Sequence, residues 1–82
     1  MKGENFARGS TAEDWFADAA EWRQLCLDAR GEARGEKAEQ FTHEMLASAV
    51  EHGLRCRCSQ RQMEWLCKIA DWAVPTMREH GG

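Results

Sequence analysis

Residues 58–75 read Cys58-Ser59-Gln60-Arg61-Gln62-Met63-Glu64-Trp65-Leu66-Cys67-Lys68-Ile69-Ala70-Asp71-Trp72-Ala73-Val74-Pro75. This run decides the fold class. Ser59 stands three residues before Gln62, the spacing at which hydroxyl and amide each satisfy an orphan backbone N–H at a helix start. Leu66, Ile69, Ala70 and Ala73 then return at intervals of three and four, flanked by Met63, Trp65 and Trp72, which is the period of one helix face. Glu64 and Lys68 stand outside in the favourable i,i+4 order. Pro75 ends the run, because the residue before proline is biased out of the α region. The pattern predicts a helix over residues 60–73.

Upstream, a connection from Gly53 to Cys58 separates this helix from a second one, predicted over residues 37–52. Ala38, Phe41, Met45 and Ala49 share its inner face, Leu46 and Val50 widen it, and Gly53 stops it as a C′ residue. Gly31 and Gly35 bracket a charged joint, readable as a loop or as a loose helix start. Before it, Ala12, Trp15, Ala19, Trp22, Cys26 and Ala29 form one stripe, broadened by Phe16 and Leu27. Glu13, Glu21, Gln24 and Asp28 hold the opposite face. Ser10 or Thr11, with Glu13 or Asp14 three residues on, supplies a capping box, so the first helix is expected over residues 11–30. Residues 1–10 and 76–82 read as frayed tails.

Composition agrees. The chain has no tyrosine, and Val50, Val74 and Ile69 are its only β-branched aliphatics. A sheet needs β-branched and aromatic residues in alternation, and none alternate here. At 82 residues the chain reads as a single all-α domain of three helices. A domain of this size has a margin of roughly 5–10 kcal/mol, so each large buried side chain matters.

The net charge is −3. Residues 31–52 hold five acids (Glu32, Glu36, Glu39, Glu44, Glu51) against two bases, whereas residues 53–82 hold five bases against three acids. An acidic balance disfavours non-specific nucleic-acid binding, which needs several uncompensated cations. Arg55, Arg57, Arg61 and Lys68 keep a local version of it open, against the bland reading of solvated side chains. Met1-Lys2-Gly3-Glu4-Asn5-Phe6 has no apolar signal region, and no stretch reaches membrane-spanning length, so a cytoplasmic protein without membrane contact is expected.

Cys56-x-Cys58, with His52, Cys67 and Cys26, invites a zinc reading. The knuckle requires Cys-x2-Cys and a second pair, and neither is present. The cysteines are therefore read as small core hydrophobes, with Cys58 alone stapling the third helix start. No metal or cofactor is expected. His43, His52 and His80 have no nucleophile beside them, the carboxylates occupy solvent faces, and no glycine-rich phosphate loop follows a strand, so no enzyme is expected.

The tryptophans carry more. Trp15 and Trp22 are central to their stripe and read as core. Trp65 and Trp72 lie at an edge, where a half-exposed indole can anchor an interface. With Glu44 and Glu51, whose acidic face can steer the chain onto a basic surface, they are the candidate partner-binding residues. The oligomeric state, monomer or homodimer, stays open.

The segment Phe41-x3-Met45-Leu46…Gly53…Cys58-Ser59-Gln60-Arg61-Gln62-Met63-Glu64-Trp65-Leu66-x2-Ile69 resembles a short helical module of bacteriophage and mobile-element proteins. That module often stands beside replication or DNA-processing domains. It reads as an apolar helix, a glycine, then Leu-Ser-x-Lys-Gln-x-x-aromatic-Leu. Ser59, Gln62, Trp65 and Leu66 match, Arg61 replaces the lysine, and Cys58 replaces the leucine. The resemblance covers less than half of the chain and supplies no catalytic residue. It implies a phage accessory protein acting in a bacterial host cell, binding a host protein or complex stoichiometrically, as anti-CRISPR inhibitors do. The alternative it implies is a DNA-replication or DNA-processing accessory that contacts nucleic acid through Arg55, Arg57, Arg61 and Lys68.

Overall fold

A computed structural model describes residues 10–78. The expectations placed on residues 1–9 and 79–82, His80 among them, lie outside the described residues. Three helices carry the fold: α1 over Ala19–Glu32, α2 over Glu36–His52 and α3 over Gln60–Ala70. Single 3-10 turns, Ala12–Asp14 and Gly53–Arg55, precede α1 and follow α2. Helices α2 and α3 each pack along α1, so α1 is the spine of the core. The all-α class holds among the described residues, and the element boundaries are where the sequence reading needs correction.

The first expected helix breaks in two. Asp14 does close a box on Thr11, its Oδ2 accepting from the Thr11 N–H at 3.1 Å, but the box caps only the 3-10 turn. The chain then turns at Trp15 and restarts at Asp18, whose backbone is extended and whose carboxylate Oδ1 accepts the Ala20 N–H at 3.0 Å. The break lets the adjacent aromatics Trp15 and Phe16 both enter the core. On one continuous helix their side chains would point about 100° apart. The new start also sets the buried arc of α1 as Trp22, Leu25, Cys26 and Ala29. Leu27, expected to broaden the stripe, is 47% exposed, because it lies about 200° around the helix from Leu25. Trp15 and Trp22 are core as expected, although each buries an indole N–H with no acceptor among the described residues.

The joint is brief. Ala33 is extended and buried, and Gly35 takes φ 92°, a value only glycine adopts without strain. Helix α2 buries Thr42, Met45 and Ala49, with Phe41 and Leu46 half-buried. Thr42 is tolerated because its hydroxyl donates to the Ala38 and Glu39 carbonyls, at 2.8 and 3.2 Å. Val50, expected to widen this face, is 62% exposed. Gly53 ends α2 with φ 59°, and its N–H returns to the Ala49 carbonyl.

Helix α3 starts as read. The Ser59 hydroxyl accepts the Gln62 N–H at 3.2 Å, and the Gln62 side chain accepts the Ser59 N–H at 2.9 Å. Its end differs from the expectation. Asp71, in the left-handed region at φ 64° and ψ 41°, stops the helix four residues before Pro75. The Trp72 N–H then closes onto the Cys67 carbonyl at 2.9 Å. Met63, Leu66, Cys67 and Ala70 line the core, while Ala73 falls outside the helix and is exposed. Residues 76–78, expected to fray, fold back onto the first turn: the Arg78 N–H donates to the Asp14 carbonyl at 2.6 Å and its guanidinium to the Glu13 carbonyl at 3.0 Å.

The Cys56-x-Cys58 segment runs antiparallel to residues 10–12. Ala12 N–H donates to the Cys56 carbonyl at 2.9 Å, and Cys58 N–H to the Ser10 carbonyl at 3.0 Å. Extended backbone alternates its side chains, so both thiols point inward and Arg57 points out. Cys56 is thus as buried as Cys58, and the staple role is shared.

Candidate binding surface

The candidate aromatic residues part company. Trp72, just beyond α3, is half-buried, and its indole N–H donates to Asp28 Oδ2 of α1 at 2.9 Å. That bond fixes it as a clasp between the C-terminal segment and α1. Trp65 is 39% exposed and stacks on Phe41 of α2, with ring centroids 4.3 Å apart and planes 13° from parallel. This stack bridges α2 and α3 on the outside of the core. Helical spacing places Phe41 on the inner face of α2; its role in the surface depends on a contact between helices that spacing along one helix does not reveal.

Arg61 and Lys68 are exposed on α3, four residues before and three after Trp65, so all three share one face. Arg55 and Arg57, the other two members of the cationic set, lie elsewhere. They line a cleft of about 330 Å³ with Ser48 and His52. Glu44 and Glu51 are both exposed and stand two turns apart on one side of α2. Glu44 accepts from the Gln40 amide at 3.2 Å, and Glu51 lies 3.9 Å from His52. Along α2, Glu44 is one turn from Phe41, so the acidic side borders the aromatic stack.

The four thiols gather in the core rather than at the surface. Cys26, Cys56, Cys58 and Cys67 are all buried and unbonded to one another. Burial, and then the neighbouring thiols, push Cys26 and Cys58 up to about 12. Burial raises Cys56 and Cys67 as well, with the Ser48 hydroxyl working against it at Cys56. Among the described residues, no group of three or more His, Cys, Asp or Glu side chains is arranged to hold a metal ion. Nor is any helix there long and apolar enough to cross a membrane.

No family model, curated protein or solved structure matches the chain.

Proposed function

We propose that this protein works by stoichiometric binding to another protein, with the Phe41–Trp65 stack as its anchor. The observation that carries this reading is a large aromatic held rigid yet 39% exposed. An indole already stacked on one face loses little side-chain entropy on docking, and tryptophan is enriched among residues that dominate interfaces. A standard interface of about 800 Å² per partner takes a large share of so small a surface. Glu44, one turn from Phe41, and Glu51 add an acidic border that favours a basic partner. The resemblance of residues 41–69 to a phage module points to a host complex as that partner, with inhibition of the anti-CRISPR kind as the outcome.

Affinity capture from lysate of the host, with wild type, Trp65→Ala and Glu44→Lys/Glu51→Lys as baits, tests it. Trp65→Ala should reduce the captured species at least tenfold, and the double reversal should reduce it at low salt only. Retention by Trp65→Ala contradicts the anchor. A second reading has its own observation: Arg61 and Lys68 flank Trp65, as cations flank a base-stacking aromatic in single-strand binders. Binding of a short single-stranded oligonucleotide that depends on all three residues would favour it.

A further inference from the structure

We propose that the cleft at the C-terminal end of α2 is a binding site for the phosphate group of a small phosphomonoester. Three local structures build it. Ser48 and His52 stand one turn apart on α2 and share a side. The 3-10 turn Gly53–Arg55 brings Arg55 around the helix end. The antiparallel bridge to Thr11 turns Arg57 outward between two buried cysteines. Together these four side chains line about 330 Å³, the low end of the range for ligand pockets and enough for a phosphate with one small organic group.

The donors suit that group. The Arg55 guanidinium fork matches phosphate oxygens two at a time and the His52 imidazole offers an N–H in either protonation state, while the Ser48 hydroxyl, bonded to the Cys56 thiol, forms part of the wall. Among the described residues, none of the lining side chains is a carboxylate. Two features oppose an anion. Glu51 Oε1 lies 3.9 Å from His52 Nε2, and the α2 C-terminus carries about half a negative charge. The full charge on Arg55 exceeds the partial charge of the helix end, and Glu51 lies beside His52. Glu51 is therefore a residue whose removal tightens binding. The site lies two turns along α2 from Phe41, so it is separate from the aromatic stack.

Amide chemical-shift titration with inorganic phosphate and with phenyl phosphate, at constant ionic strength against chloride, tests the proposal. Both phosphates should shift amides of residues 48–57 saturably, phenyl phosphate more tightly, while chloride does not. Arg55→Gln should weaken phenyl phosphate about tenfold, as expected for losing a charge-assisted donor pair. Arg55→Lys should lie between, Glu51→Gln should bind more tightly, and Lys68→Gln and Trp65→Ala should stay within twofold. Arg55 and Lys68 are exposed, so unchanged melting midpoints separate lost binding from lost folding. Equal shifts with chloride, absent saturation, or full affinity in Arg55→Gln would overturn the site. So would an oligothymidine that binds with equal dependence on Arg55 and Lys68, since that marks an extended nucleic-acid surface.

Discussion

Asp71 holds a left-handed backbone conformation that favours glycine, and replacing it should stabilise the protein. It holds φ 64° and ψ 41° at the end of α3, where an L side chain costs roughly 1 kcal/mol relative to glycine. Its carboxylate also meets the negative end of the helix, a further cost of about 0.3–1 kcal/mol at an exposed site. Asp71→Asn keeps the side-chain shape and removes only the charge, so it should gain about 0.5 kcal/mol. Asp71→Gly removes both costs but gives back about 0.5 kcal/mol as unfolded-chain entropy, for a net gain of about 1 kcal/mol. In a domain of this length that is a rise in Tm of roughly 4–8 °C. Thermal unfolding followed by circular dichroism measures both, and the Asn gain should shrink in 1 M salt while the Gly gain largely persists. A lower Tm for Asp71→Gly would mean that α3 does not end in a left-handed residue at this position.

Two further outcomes follow from the core and the caps. Cys26 and Cys58, held up at about 12 by burial, expose roughly one thiolate in ten thousand at pH 8, so alkylation of the native protein should proceed only as fast as it opens. Because the folded-state values lie above the unfolded value of 9.0, their contribution to stability is complete below pH 9 and declines as pH rises toward 12. A Tm constant from pH 9 to 11 would contradict this. Asp18→Ala should cost about 1 kcal/mol by deleting the α1 cap, as Ser59→Ala should at α3. A chemical-denaturation series in which Asp18→Ala is silent would restore a single helix from residue 11.

What could be read from sequence divides by distance along the chain. The Ser59–Gln62 box, the α2 stop at Gly53 and the centres of the α2 and α3 stripes involve residues within a turn or two, and each stands where local spacing puts it, whereas the stripe edges at Leu27, Val50 and Ala73 do not. The cap at Asp18 is also local, but a stripe running unbroken from Ala12 to Ala29 hid it, since the same periodicity serves one helix or a turn followed by a helix. Asp71 stops α3 without the glycine that usually announces a left-handed end. The remaining features are non-local. Trp72 is a clasp because Asp28 receives its N–H, Cys56 is buried because residues 10–12 pair beside it, and Phe41 reaches the surface because Trp65 lies over it. Of the cationic set, Arg55 and Arg57 separate from Arg61 and Lys68 because a turn and a bridge intervene, which charge counting cannot reveal.

Site-specific photocrosslinking in the host tests the central claim most directly. A photoreactive residue at position 61 or 68 sits beside Trp65, whereas Leu27 and Val50 are exposed on other helix faces and serve as controls. Positions 61 and 68 should yield one discrete protein adduct that Trp65→Ala abolishes, and positions 27 and 50 should yield none. An adduct from position 27 or 50 with none from 61 or 68, or an adduct that nuclease removes, would place the working surface away from the Phe41–Trp65 stack or assign it to nucleic acid.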